Sequence, residues 1–298
     1  MKPAPFDYVR ADSVAEALAL LAEHGSAAKL MAGGQSLIPM LNFRVVRPSI
    51  VVDVGALVEL DHQRDRPDGG LSIGALTRHR TLETSERIAG RYPVIPEAMR
   101  HVAHLAIRNR GTIGGSLSHA DPAAELPMLA RLLDARLVAE SARGRREIEA
   151  SDFFVSALTT ALRDDEMLTH VELPPWPQGA GWAFEEFAKR PGDYALAAVG
   201  VLVQCDDGRI ARARVAMMGI ADTPIRLDAL ERAMVGRPAT APGIADCIDE
   251  AARALSPRED LHASAGYRRM LSRTLLQRVT AGALDRALAA GARGGTLT

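Results

Sequence analysis

Two short segments set adjacent glycines beside a hydroxyl-bearing residue: Ala32-Gly33-Gly34-Gln35-Ser36 and Thr112-Ile113-Gly114-Gly115-Ser116. Glycine adopts backbone conformations closed to other residues, and it lets the main chain approach a ligand with no side chain between them. Successive amides in such a turn can point into one concavity that suits an anion. The first segment follows a short apolar run, Lys29-Leu30-Met31, and precedes another at residues 37–41; Ser36 adds a hydroxyl donor. After the second come Ser118, His119, Asp121 and Glu125, all able to bond phosphate, ribose or water. Taken singly, either segment reads as a plain tight turn. Together they suggest two subdomains gripping one long ligand with a charged linker, which is the form of a dinucleotide. Neither matches the G-x-G-x-x-G of a nicotinamide-binding Rossmann domain, and no G-x-x-x-x-G-K-[ST] P-loop occurs.

The pattern around these segments predicts a mixed fold. At 298 residues and 47% hydrophobic, the chain is long enough for more than one core. Ser13-Val14-Ala15-Glu16 reads as a capping box, opening a helix with a Val14, Leu18, Leu21 stripe and Gly25 as its left-handed cap. Strands are expected at residues 49–54, 71–76, 137–139 and 167–173, and helices at 93–108 and 126–133. Residues 111–127 are too rich in Gly, Ser and Asp for one continuous helix. The run Pro174-Pro175-Trp176-Pro177-Gln178-Gly179 breaks all local structure and marks a domain boundary. Beyond it, strands at 183–187, 195–204 and 210–218 precede helices at 224–234, 244–255 and 267–288. The Gly-rich tail, 291–298, is expected to fray.

Composition removes several classes of function. With 36 basic and 37 acidic residues the formal net charge is -1, so no global field draws the protein to nucleic acid or an anionic membrane. The two cysteines, Cys205 and Cys247, read as inert thiols and do not make the four-ligand set of an iron–sulfur cluster. His101 and His104 lie three apart on one helical face but bring no further metal ligands. His119 beside Asp121 reads as ligand-shaping, so neither a catalytic residue nor a metal site is expected. Residues 1–6 lack an apolar signal core and no stretch has transmembrane length, which points to a cytoplasmic protein without membrane insertion.

Taken together, Lys29-Leu30-Met31-Ala32-Gly33-Gly34-Gln35-Ser36-Leu37 and Thr112-Ile113-Gly114-Gly115-Ser116 resemble the FAD-binding motifs of the molybdenum hydroxylase flavoproteins. That family holds the medium subunit of carbon monoxide dehydrogenase and the flavin domain of xanthine dehydrogenase, and the resemblance spans nearly the whole chain. It implies an α+β fold. Residues 1–175 would form a two-subdomain vanillyl-alcohol-oxidase-type (PCMH-type) FAD-binding domain, split into about 1–56 and 57–175. Residues 176–298 would form a smaller C-terminal domain of sheet plus helices, like that of the carbon monoxide dehydrogenase flavoprotein.

By the same resemblance, Lys29 to Ser36 and Thr112, Gly114, Gly115 and Ser116 hold the pyrophosphate and adjoining parts of a non-covalent FAD, with His119 and Asp121 alongside. Glu125 stands where the family usually has Asp on the adenosine side, keeping the charge on a longer arm. Ser116 replaces a frequent Asn and still donates. Leu168 matches a hydrophobic flavin contact, Lys189 a basic residue near the ring, and Tyr194 the aromatic side chain over the isoalloxazine. The implied activity is electron transfer within an oxidoreductase, from partner [2Fe–2S] clusters through FAD to an external acceptor. The implied partners are an iron–sulfur small subunit and a molybdenum large subunit, in a heterotrimer or a dimer of heterotrimers. Two other readings stay open: a free-standing FAD-dependent oxidoreductase of the same fold, and a flavin-less nucleotide-binding assembly module.

Overall fold

The Ser13 hydroxyl accepts from the Glu16 amide at 3.1 Å, and the Glu16 carboxylate accepts at 2.7 Å from the amide of Asp12, one residue before the cap. The helix so fixed, Val14–His24, buries Ala17, Leu18 and Leu21. Gly25 ends it at φ 50° and ψ −129°, so the positive φ is used but the left-handed helical region is not. In this computed structural model, which describes residues 2–294, the chain divides into two compact units. The first comprises the chain up to Leu82, His104–Asp121 and Asp134–Pro175; the second comprises Glu83–Ala103, Pro122–Leu133 and the chain from Trp176 onward.

Unit 1 begins with a parallel three-stranded sheet of β1 (Asp7–Arg10), β2 (Ala28–Met31) and β3 (Ile50–Asp53), in the order β1-β3-β2. The helix Val14–His24 packs on it, with Leu18 and Leu21 in one apolar cluster with Val52, Val54 and Leu57. Fully burying each such side chain is worth about 1.5–3 kcal/mol. An antiparallel sheet follows, built from β4 (Gln63–Asp65), β5 (Leu71–Gly74), β6 (Arg136–Ser141) and β7 (Gly144–Glu149), with a small hairpin of β8 (Phe154–Ser156) and β9 (Thr159–Thr160) beside it. β10 (Met167–Leu173) sits at the sheet's centre, giving the order β4-β5-β10-β6-β7.

Unit 2 is organised by the antiparallel sheet β11 (Gly181–Phe187), β12 (Ala197–Asp206), β13 (Arg209–Met218) and β14 (Ile225–Arg226). β12 is apolar without alternation because both of its faces are covered. Val199, Val201 and Val203 join Leu275, Leu276 and Val279 of the Ala265–Gly294 helix in one cluster. The Glu125–Leu132 helix also packs on β12.

Three local expectations change. The helix expected over 93–108 is two: Val94–Met99 and Leu105–Arg108. The amides of Arg100, His101 and Val102 donate three residues back, which tightens the turn, and Ala103 then leaves the right-handed helical region at φ 42°. Within 224–234 only Asp228–Met234 is helical, because Ile225 and Arg226 pair with Met217 and Ala216 as a strand. In the tail, 291–294 continue the long helix, while 295–298 lie outside the described residues. Among the described residues no helix is long and apolar enough to cross a membrane.

Candidate cofactor site

Parallel pairing brings Arg10, Asp53 and Met31 into register at the carboxyl edge of the three-stranded sheet. Ligands of open parallel sheets commonly bind at this edge. Asp53 is held on both oxygens: Oδ1 accepts from the Gly55 amide at 2.8 Å and Oδ2 from the Tyr8 hydroxyl at 2.6 Å. That hydrogen bond to Asp53 raises the Tyr8 pKa, so the phenol stays protonated.

From β2 the chain enters Ala32-Gly33-Gly34-Gln35-Ser36. Gly34 takes φ 71°, a conformation that L side chains rarely adopt, and this turns the chain into the short helix Leu37–Asn42. The helix starts with Ile38 donating to the Gly34 carbonyl at 3.0 Å, and the Gln35 side chain donates back to the Gly33 carbonyl at 3.0 Å. Among the described residues, the amides of Gly33, Gly34, Gln35 and Ser36 meet no protein acceptor, and the Ser36 hydroxyl makes no cap. This loop walls a concavity of about 650 Å³ that Tyr8, Arg10, Asp53, Arg78 and Arg110 also line.

The second glycine segment behaves differently. It is the start of a helix, Ile113–His119, capped by Thr112, whose Oγ1 accepts from the Gly115 amide at 3.1 Å. Ile113 donates to the Thr77 carbonyl at 3.0 Å, Gly114 to that of Ala75 at 2.8 Å and Ser116 to that of Thr112 at 3.0 Å. These amides are therefore spent inside unit 1. A Cβ on Gly114 would stand 2.5 Å from the Ala75 Cβ, so this glycine permits a close approach of helix to strand end. His79 supports the turn from behind. Its amide donates to the Gly111 carbonyl, and its Nε2 lies 2.9 Å from the Thr112 carbonyl, which requires the proton on Nε2. Burial drives its pKa down to about 4, against the raising effect of the Thr112 bond, so the ring is neutral at pH 7.

Gly33 is where the two motifs meet. A Cβ there would lie 2.1 Å from the Arg110 carbonyl oxygen and 3.0 Å from the Gly111 Cα. Arg78 donates to the same carbonyl of Arg110. The second motif thus reaches the concavity through Arg110 and its neighbour Arg78, not through its glycines.

The other expected residues spread over both units. Lys29 and Leu30 lie on β2, exposed and half-buried. Ser116 is half-buried within the capped helix, and His119 is its last residue, with its pKa lowered by burial against the opposing charge of Asp121. Leu168 is buried on β10 opposite Ala139. Glu125, Lys189 and Tyr194 belong to unit 2. Glu125 opens the helix Glu125–Leu132, while Lys189 and Tyr194 sit on the loop 188–195, with Tyr194 66% exposed. Sequence reasoning missed Tyr8, Arg10, Asp53, Arg78 and Arg110. β1 is short and mostly exposed, so it carries no apolar pattern. Asp53, by contrast, lies at the carboxyl end of an expected strand, two residues before Gly55, and the carboxyl-edge rule could have found it.

With this geometry in view, the comparisons with known proteins fix the class. The family described as the FAD binding domain in molybdopterin dehydrogenase matches residues 4–176, and the CO dehydrogenase flavoprotein C-terminal domain matches residues 182–283. The chain therefore belongs to the FAD-binding medium subunits of the molybdenum hydroxylase family. It is 44% identical over 288 residues to the 6-hydroxypseudooxynicotine dehydrogenase complex subunit alpha of Paenarthrobacter nicotinovorans, covering 96% of this chain and 97% of that one. It is 42% identical to the caffeine dehydrogenase subunit beta of Pseudomonas sp. strain CBB1, with the same coverages. Among solved structures, carbon monoxide dehydrogenase from Hydrogenophaga pseudoflava superposes with a TM-score of 0.92 at 34% identity, covering 96% of this chain and 99% of that one.

Proposed function

We propose that this chain holds FAD non-covalently at the carboxyl edge of its three-stranded sheet and carries electrons from [2Fe–2S] clusters of a partner subunit to an external acceptor. The observation that carries this reading is the run of amides from Gly33 to Ser36 that, among the described residues, meets no protein acceptor, with Gly33, Gly34 and Gln35 on the wall of a concavity of about 650 Å³. Such donors fit the diphosphate of FAD, and Arg10, Arg78 and Arg110 supply cations around them. The redox chemistry is that of the flavin when bound; the protein contributes binding, orientation and local charge.

In this reading Lys29, Leu30 and Met31 fix the strand from which Ala32, Gly33, Gly34, Gln35 and Ser36 depart. Thr112, Gly114 and Gly115 seat the turn that follows Arg110 of the second wall, with Ser116 offering its hydroxyl to the cofactor. His119, Asp121 and Glu125 serve the adenosine side. Leu168, Lys189 and Tyr194 serve the ring, where the Lys189 cation favours negative charge. The family boundaries at 176 and 182 support the division into an FAD domain of 1–175 and a C-terminal domain of 176–298.

The partners follow from what this chain does not supply and from how its relatives are named. Cys205 and Cys247 are its only cysteines, and the relatives are named as medium chains or as subunits of complexes. An iron–sulfur small subunit and a molybdenum large subunit would complete a heterotrimer or a dimer of heterotrimers. Expression alone and with both partners tests the reading. The isolated chain should be yellow, release FAD on denaturation and turn over no substrate. The complex should bleach its flavin when offered its substrate, with caffeine and 6-hydroxypseudooxynicotine as the first compounds to try. Release of FMN, or failure to take up FAD, would overturn the cofactor assignment. Turnover by the isolated chain would favour the free-standing oxidoreductase.

A further inference from the structure

Loop 188–195, which carries Lys189 and Tyr194, is gripped at both ends by the start of one helix. The Leu196 amide donates to the Phe187 carbonyl at 2.8 Å and closes the loop. The Phe187 ring meets the Tyr267 ring edge-on, with ring centres 6.5 Å apart. The next residue, Arg268, is 1% exposed. Its Nη1 donates to the Leu196 carbonyl and to the Gly219 carbonyl, both at 2.6 Å, and its Nη2 donates to Asp260 Oδ2 at 2.6 Å. Asp260 is fixed in turn, because its Oδ1 accepts from the amides of His262 at 2.9 Å and Ala263 at 3.1 Å. Burial works to raise the Asp260 pKa, but the Arg268 hydrogen bond and the two amides bring it down to about 2. Ser264 caps the helix, accepting from the Tyr267 amide at 3.2 Å.

A guanidinium withdrawn from water needs acceptors for its donors, and the planar fork of Arg suits several fixed acceptors at once; here Nη1 and Nη2 are matched, while the buried Nε meets no acceptor among the described residues. Here one acceptor is the carbonyl at the loop's exit, another lies just after β13, and the third is an anchored carboxylate. We propose that Arg268, braced by Asp260, is a positioning residue for the flavin: it fixes the exit of loop 188–195 so that Lys189 and Tyr194 keep one arrangement toward the ring. The proposal rests on the reading of those two side chains as ring contacts. It assigns to Arg268 no contact with the cofactor.

The test uses the full chain, with and without FAD, carrying Arg268→Lys, Asp260→Asn or Tyr194→Ala. Lysine keeps the charge but not the fork, and Asp260→Asn keeps an oxygen toward Arg268, so it serves if Arg268→Lys fails to fold. Two readouts separate positioning from bulk stability: trypsin cleavage after Lys189, followed by mass spectrometry, and the visible spectrum and midpoint potential of the bound flavin. The expected result is cleavage after Lys189 about tenfold faster in the Arg268 and Asp260 variants. Their flavin spectrum should move in the same direction as that of Tyr194→Ala. A lower melting temperature with unchanged cleavage and spectrum overturns the proposal and leaves Arg268 a structural staple. If Tyr194→Ala shifts the flavin and Arg268→Lys does not, the clamp fails while the ring contact stands. If Tyr194→Ala shifts nothing either, the ring contact itself fails and takes the proposal with it.

Discussion

Gly33-Gly34 and Gly114-Gly115 are near twins in sequence, yet among the described residues the first pair leaves its amides without protein acceptors while the second pair has both amides engaged. At the first, Gly34 takes a positive φ and both glycines line a concavity. At the second, Gly114 gives up its amide to the Ala75 carbonyl so that a helix can begin against a strand end. Paired glycines thus serve two physical ends, presentation and packing, and only the partners of their amides tell which.

The sharpest way to break this comparison is Gly33→Ala, which puts a methyl group 2.1 Å from the Arg110 carbonyl oxygen and must push the two motifs apart. FAD affinity should fall by about a thousandfold, some 4 kcal/mol, in a fluorescence titration of flavin-free protein. Unchanged affinity would mean that the contact of the motifs does not build the site.

Acid should find the packing pair first. The folded pKa of His79 is about 4 against its usual 6.5, so its contribution is complete above pH 6.5 and is lost as pH falls through 4. The difference amounts to about 3 kcal/mol of stability in unit 1. Urea midpoints measured from pH 7 to pH 4 should show this slope, and His79→Gln should flatten it; an equal slope in the variant would acquit the histidine.

Gly114→Ala should cost stability rather than affinity. Overpacking against Ala75 predicts a loss of about 1–3 kcal/mol in chemical denaturation, with FAD affinity of the folded protein within about twofold of the parent. Gly34→Val should do the reverse: affinity about tenfold weaker, or 1.4 kcal/mol, with unit 2 still folded. If Gly114→Ala weakened FAD as much as Gly34→Val at unchanged stability, the division between presenting and packing would collapse.

Much of the scaffold was legible beforehand, because its signals are local. Ser13 and Glu16 cap a helix within four residues, and the apolar run of β12 needs only its own composition. The glycine segments announced themselves as special backbone. What the second one does was hidden, because the acceptors that consume its amides, Ala75 and Thr77, lie far back in the chain. Thr112 before Ile113 was nevertheless a readable cap signal. Arg78 and Arg110 join the wall through tertiary contacts alone, and no spacing in the sequence hints at it. The break at Ala103 was equally silent, since alanine favours helix and only the tertiary path imposes its φ of 42°.

The seat of Gly33 on the Arg110–Gly111 peptide also has a consequence for how the protein matures. The concavity needs two stretches that the ribosome delivers far apart in time, and closing so long a loop is slow because its entropy is lost before any contact offsets it. A nascent chain that has exposed only its first sheet has the amide loop but not its second wall. Flavin should therefore be captured late, and in a refolding experiment with FAD present from the start its fluorescence should be quenched no sooner than unit 1 acquires its full protection from hydrogen exchange.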